Sequence, residues 1–436
     1  MYIRNDILTQ KRIAHLEEIR RAEREARFAA LIPAVDEEAA QELNEVYKLF
    51  TTDMLIWYAG LWEPEIGGFY FSNSARDTEG LLPDLESTAQ AMRFLTGHCC
   101  MKFPERIRRQ MADFAWNLQD EDGYFYHPQW GKDITVTRRG RDLGWAKQLI
   151  ALTGREYRYP LPTARKADSG TTSLPEYLQS VEAWDAYLES KPLSEKSYSV
   201  GNLINSLAGQ IQGAGPEFCA ATVAWANRHQ RSDNGLWEPQ INYSSVNGLM
   251  KLAACYPGFG AVLPNADKAL DSAMKAVLSD EKITFACEFY NPWSAISSIL
   301  KCMEMGGDAE KAASLRASFR ENAAELIRVT GRKIRTTACA DGSFAYYAAD
   351  SGHVCTRSQG ALVAQDHVRE GDINGNGCSI NGPLSGMFAS LGVQMVPLFT
   401  KEDGVFLVEL MDARISAGKT LSLPESLRAT LKTPRK

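Results

Sequence analysis

From about Glu37 onward, two patterns alternate along the chain. In one, apolar residues recur every three to four positions. In the other, short segments are rich in glycine, proline and aromatic side chains. The first spacing predicts amphipathic helices and the second predicts the loops between them. Helices are expected from Glu37 to about Trp57, over the stretch from Pro83 to about Cys100, from Pro104 to 119, and at about 141–153, 175–190, 198–213, 216–231, 244–256, 265–280, 293–305, 309–330, 383–393 and 401–416. Asp36 is placed to cap the first of these, and Pro104, Pro175, Pro216 and Pro383 stand near helix starts, where a missing N–H costs least. Before Glu37, Arg and Glu interleave around a partial stripe of Ile7, Ile13, Leu16 and Ile19. This predicts a long helical arm over 1–34, packed on the main body or on a partner subunit. Its heptads fade after Ile19, which argues against an extended coiled coil. β-type alternation is confined to short pieces such as Ile134–Thr137, so the expected fold class is all-α.

The loops repeat. Gly68-Phe69-Tyr70, Gly123-Tyr124-Phe125, Gly235-Leu236-Trp237 and Gly342-Ser343-Phe344 share a Gly-x-aromatic signature, with glycines 55, 112 and 107 residues apart. These are one, two and two steps of about 54 residues, the size of a helical hairpin with its loops. The skipped steps fall near 179, where only a helix pair is present, and near 289, in the aromatic stretch CEFYNPWSAISSILKC. Six such hairpins can close into a ring around a central cavity. The domain expectation is therefore an arm at 1–34, a helical-repeat body at 35–420 and a flexible tail at 421–436. Tyr70, Phe125, Trp237 and Phe344 are expected to wedge between hairpins.

Two loops, Gln119-Asp-Glu-Asp-Gly123-Tyr-Phe125 and Gln230-Arg-Ser-Asp-Asn-Gly235-Leu-Trp237, resemble the QW motif of terpenoid cyclases and prenyltransferase-like repeats. Asp341-Gly342-Ser343-Phe344 is similar but lacks the Gln. The opening GGFYFSNSARD resembles loops of α/α-toroid carbohydrate enzymes such as the sugar 2-epimerases. The resemblance spans about 40–420 and implies an (α/α)6-type toroid. It names a superfamily and no single activity.

Composition narrows the classes. A net charge of −6 argues against a general nucleic-acid or anionic-membrane binder. No run approaches the roughly 20 apolar residues of a membrane span. The charged N-terminus lacks the apolar region of a secretory signal. Nine scattered cysteines without a CxxC read as reduced thiols. A cytoplasmic location is expected, without a cofactor, and with the arm as a possible route to a homo-oligomer. DxDD, DDxxD, HExxH, GxSxG and P-loop motifs are all missing. Cys355 and His367 make a weak counterpart to a prenyltransferase zinc set. Asp372, Asn374, Asn376 and Gly377 match the first half of a calcium loop, but Pro383 stands where the closing Glu belongs.

Candidate chemistry lies where loops enter the inner helices. Asp84 and Glu86 open the helix after Pro83, where capping alone also explains them. His127, Arg138, Arg139, Arg141 and Asp142 follow in the second loop, then Tyr198, Asn202 and Asn205, then Glu238, Asn242, Tyr243 and Asn247. Glu288, Tyr290, Asn291 and Trp293 come next. His353, Arg357, Asp372, Asn374, Asn376 and Asn381 come last. Carboxylates, amides and aromatic rings suit a sugar or oligosaccharide. Glycoside hydrolysis needs two acids, drawn from Glu86, Asp142, Glu238 and Glu288, with Glu86 and Glu288 as the chosen pair. A uronate lyase would use Arg141 or Asn242 to neutralise the substrate carboxylate and Tyr243 or His353 as base. Asp84, Arg141, Asp142, Glu238, Asn242, Tyr290, Asn291, Trp293 and Asn374 are the expected substrate contacts. An apolar-ligand protein of the terpenoid-cyclase type and a non-catalytic helical scaffold are the competing classes.

Overall fold

The computed structural model describes residues 3, 9–99, 102–134, 136–162, 176–353 and 369–416. The expected tail at 421–436, together with Arg357, Cys355 and His367, lies outside the described residues. The protein is predominantly helical. Its helices are α1 (Gln10–Val35), α2 (Glu37–Tyr47), α3 (Thr52–Leu61), α4 (Asn73–Asp77), α5 (Leu85–His98), α6 (Glu105–Asn117), α7 (Val136–Ala151), α8 (Val181–Glu189), α9 (Ser197–Ala214), α10 (Pro216–His229), α11 (Tyr243–Ala253), α12 (Ala266–Leu278), α13 (Cys287–Met305), α14 (Ala309–Arg335), α15 (Ile373–Asn376), α16 (Gly382–Leu391) and α17 (Lys401–Asp412). A π-helical turn, Gly377–Asn381, joins α15 to α16. Trp62–Glu63 and Gly68–Phe69 pair as two short antiparallel strands, with Trp62 opposite Phe69.

Helices α9, α11, α13 and α16 pack side by side in that order, and the π turn before α16 reaches α5, which packs on α7. A second row covers them. α10 lies on α8 and α9, α12 on α13 and α14, and α14 on α2, α13 and α16. The arm is docked on the same body. Arg20 of α1 is buried, its guanidinium 3.0 Å from Asp403 Oδ1 of α17 and donating to Thr52 Oγ1 of α3.

Three local expectations are corrected. The helix starting after Asp36 ends at Tyr47, and a separate α3 begins after Thr51. Phe50 turns inward there, 5.7 Å from the Phe344 ring. Since α3 is buried on nearly every side, it carries no amphipathic stripe to mark the break. The alternation at Ile134–Thr137 makes no strand, because α7 starts at Val136. The helix expected at 293 starts six residues earlier, at Cys287, and carries Pro292 within it.

The repeat is visible as one turn used four times. Gly67, Gly123, Gly235 and Gly342 all have positive φ, between 69° and 87°. Two residues on, Phe69, Phe125, Trp237 and Phe344 are buried. In the first loop the equivalent glycine is therefore Gly67, one residue before the Gly68 of the sequence signature. The backbone confirms the register, with Tyr70, Tyr126 and Ala345 donating to Leu61, Leu118 and Thr337. Each glycine lies against the next hairpin: Gly67 on Gln110 of α6, Gly123 on Pro160, Gly235 on Asn265 and Ala269 of α12, and Gly342 on Asp53 and Met54 of α3. A Cβ at any of them would collide with backbone. The QW-like glutamines bridge the same joint. Gln119 donates to Gly123 O and Tyr159 O and accepts from Tyr159 N, while Gln230 donates to Gly235 O and accepts from Asn265 Nδ2.

Candidate functional site

The loops bring successive helix N-termini to one end. Glu238, in the loop before α11, accepts from Ser197 N at 2.7 Å and Ser197 Oγ at 2.6 Å, at the start of α9. Glu281, in the loop before α13, accepts from Tyr243 N, the start of α11. Ala286 N, at the start of α13, donates to Tyr346 O in the following loop, and Ile373 N, at the start of α15, donates to Phe71 O. A first-turn N–H has no partner within its own helix, so an acceptor from the neighbouring loop both caps the helix and fixes the joint.

Between α5 and α7 that joint is made of charges. Asp84 is the N-cap of α5, accepting from Ser87 N at 2.9 Å and Ser87 Oγ at 2.7 Å. Glu86, in the first turn, receives Arg138 Nη1 at 2.9 Å on one oxygen and Arg141 Nη2 on the other. Arg138 also meets Asp142, at 3.0 Å from Nη2 and 3.1 Å from Nε, and lies 3.9 Å from Asp84. Asp84, Glu86, Arg138 and Asp142 are all buried, whereas the Arg141 side chain is 37% exposed. Burial pushes the Asp142 carboxyl up to about 6 and raises Glu86, against the lowering pull of the arginines. His127 closes the floor. Its Nε2 donates to Pro83 O at 2.8 Å and its Nδ1 accepts from Gln129 N, so the neutral imidazole is held. Burial lowers its pKa to about 4. The Trp130 ring stacks on it at 4.0 Å and lies under Arg138.

Asp84, Glu86, Arg141 and Asp142 are thus brought together. The other sequence candidates stand elsewhere or do other work. Glu288 accepts from Thr284 N and Phe285 N at the start of its own helix. Asn242 caps α11 in a reciprocal capping box with Ser245. Tyr243 is buried and donates its hydroxyl to Glu281 O. Trp293 is buried, bonded to Thr330 Oγ1 and packed against Gly386. Asn291 is buried, while Tyr290 is partly exposed and lies against Gly382. Asn374 Oδ1 receives the Cys378 thiol. His353 is exposed and stacks on Tyr347 at 4.6 Å.

Sequence reasoning missed a further set at this end. Gln90 donates to Glu86 and stands beside Gly377 of the π turn. Arg93 lies 5.8 Å from the Trp145 ring of α7. Cys287 Sγ is 3.5 Å from Tyr346 Oη. Several pairs are near enough for the charge of one to act on the other: Arg93 with Tyr290, Lys251 and Tyr198 with Cys287, and Glu86 with Cys378. These pairs draw in α5, α7, α9, α11, α13 and the π turn. Trp145 Nε1 and Asn247 Oδ1 are buried without a protein partner. Tyr198, Tyr290 and Asn247 are sequence candidates; for Gln90, Arg93, Trp145, Lys251 and Cys287 the only signal is position, within about three turns of a helix start, and Tyr346 and Cys378 carry none. Among the described residues, no three His, Cys, Asp or Glu side chains form a metal-binding group.

A separate open groove of about 470 Å³ lies at the joint of the first and last loops, lined by Asp53, Trp57, Asn73, Arg76 and Asp341. Asn73 bonds Asp341 and Arg76 there, and Arg76 also bonds Asp77, whereas Trp57 Nε1 is buried without a protein partner. The helix ends carry the denser set of buried charges, Asp84, Glu86, Arg138 and Asp142, and are the stronger candidate on that ground. Among the described residues no helix is long and apolar enough to cross a membrane. No family model matches the sequence, and no curated protein or solved structure matches it either.

Proposed function

We propose that the protein is a carbohydrate-active enzyme of the (α/α)6-toroid type, and that its substrate is a sugar chain bearing a carboxylate, of the uronate class. Ring closure is supported by the contact of Gly342, in the last repeated loop, with α3 of the first hairpin. The substrate class rests on the cations and tyrosines carried here: Arg93 acts on Tyr290, Lys251 and Tyr198 act on Cys287 beside Tyr346, and Arg141 reaches solvent from its pair with Glu86. Guanidinium groups bind carboxylates through paired hydrogen bonds, and tyrosine rings pack on sugar faces. Trp145 Nε1 and Asn247 Oδ1 add a donor and an acceptor for hydroxyls.

β-Elimination fits these groups better than two-acid hydrolysis does. Arg141, paired with Glu86 here, would exchange that carboxylate for the substrate's and so acidify the adjacent C–H. Tyr290, as phenolate, takes that proton. The C–O bond to the leaving sugar then breaks at the next carbon, a C=C bond forms between the two carbons, and the departing oxygen gains a proton. Burial raises the Tyr290 phenol, and a hydrogen bond with Ser294 and, more weakly, the charge of Arg93 oppose that rise only in part. The carboxylates needed for hydrolysis are engaged otherwise, Glu86 and Asp142 with arginines and Glu238 and Glu288 with backbone N–H groups. One observation favours hydrolysis. Burial raises the Glu86 carboxyl, as a general acid requires.

A panel of uronate-containing and neutral oligosaccharides separates the two. Elimination predicts a product with the ultraviolet absorbance of a conjugated unsaturated uronate, and Arg141→Gln is expected to lower kcat/KM by about 10²-fold. Cleavage of neutral glycosides without that absorbance, abolished by Glu86→Gln, would establish hydrolysis instead.

A further inference from the structure

Two cysteines that are 91 residues apart in the chain meet at the site. Cys287 is the first residue of the 19-residue α13, and Cys378 sits in the π turn that packs on α13. The two thiols are near enough for each to shift the other's titration, the Cys378 S–H also reaching Asn374 Oδ1, and Tyr346 Oη lies 3.5 Å from Cys287 Sγ. Both thiols are partly exposed, whereas Cys99, Cys219, Cys255 and Cys302 are buried. A helix N-terminus and donated hydrogen bonds both favour thiolate. π turns inserted in helices occur often at functional positions.

We propose that Cys287 and Cys378 form an oxidisable dithiol, in which Cys287 reacts with a hydroperoxide and Cys378 resolves the product to a disulfide. In the first step the Cys287 thiolate attacks one peroxide oxygen. The O–O bond breaks, the second oxygen leaves with the electron pair and takes up a proton, and Cys287 becomes a sulfenic acid. The Cys378 thiol then attacks that sulfur. An S–S bond forms, the S–O bond breaks, and the oxygen departs as water. Sulfur loses two electrons and the peroxide gains them. The division of labour follows from the environment. Hydrogen bonding from Cys378 is the main influence that lowers the Cys287 thiol to about 7, while the same contact and burial raise Cys378. Cys339 is a natural control, since it is equally partly exposed but is raised by burial and has no thiol partner among the described cysteines.

The test uses the full reduced chain and hydrogen peroxide. Peptide mapping after stoichiometric peroxide should show a Cys287–Cys378 disulfide, formed before oxidation of any other cysteine and reversed by dithiothreitol. Iodoacetamide labelling across pH should show Cys287 reacting with a midpoint near 7 and at least tenfold faster than Cys339 at neutral pH. Cys378→Ser should stop at a sulfenic acid on Cys287, trapped by dimedone, and Cys287→Ser should remove the reaction. Equal labelling of Cys287 and Cys339, or a first disulfide between other cysteines, would overturn the assignment. Both readouts are made on the unsubstituted protein, so a variant that misfolds does not remove the test.

Discussion

Arg138 holds the α5–α7 joint together. It is buried and faces Glu86, Asp142 and, at longer range, Asp84. Removing one member of a buried ion cluster strands the others without water or counter-charge. Arg138→Met is therefore expected to cost about 3–5 kcal/mol in denaturant unfolding. Arg141→Gln, whose side chain reaches solvent, is expected to cost under about 1 kcal/mol. A protein stability unchanged by Arg138→Met would show that the cluster does not hold the joint. The histidines set the response to acid. His98 and His127 are neutral in the fold, each lowered by burial from 6.5 to about 4. A depressed histidine contributes stability that is present above pH 6.5 and lost as the pH falls towards 4. That amounts to about 3 kcal/mol for each. Asp142, raised from 3.8 to about 6, works the other way and favours the folded state by about 3 kcal/mol as the pH falls through the same window. Glu86, also raised by burial, acts in the same direction as Asp142. His127→Gln removes one of the two histidine losses, so its unfolding free energy should fall less between pH 6.5 and 4 than that of the unsubstituted protein, and an unchanged slope would contradict the assignment.

At the scale of the element, the repeated turn carries the architecture. Gly342 combines a φ of 79° with backbone of α3 directly where a Cβ would point. Gly342→Ala is expected to destabilise by about 2 kcal/mol or more. Gly97, helical in α5 with open space at its Cβ position, is the control. Gly97→Ala should stabilise by about 0.5–1 kcal/mol, and thermal unfolding of the two variants reads both signs. Most of these elements were legible in the sequence, because amphipathic stripes, helix-start prolines and the glycine–aromatic spacing are local signals. The failures were also physical. α3 is buried all round and shows no stripe. Glu238, Glu288 and Asn242 are the residue types of a polar cavity, but those types also cap helices, and here they do so. Asp84, Glu86, Arg141 and Asp142 were legible because charges clustered at helix starts are unusual even one loop apart. Cys287 and Cys378 were not, because only tertiary packing brings them together.

At the scale of the whole molecule, the same joint recurs from hairpin to hairpin, and its last copy returns to the first hairpin at α3. In the toroid we propose, the helix N-termini would face a shared space carrying arginine, lysine, tyrosine and amide groups. Helix ends and cations both favour an anion there. The arm is tied to the body through Arg20 and Asp403. The most direct test of the central claim is ultraviolet detection of product from uronate-containing oligosaccharides incubated with the full chain and with Arg141→Gln. The account predicts unsaturated uronate from the unsubstituted protein and about 10²-fold less from the variant. Turnover of neutral glycans with no unsaturated product, and with no dependence on Arg141, would contradict it.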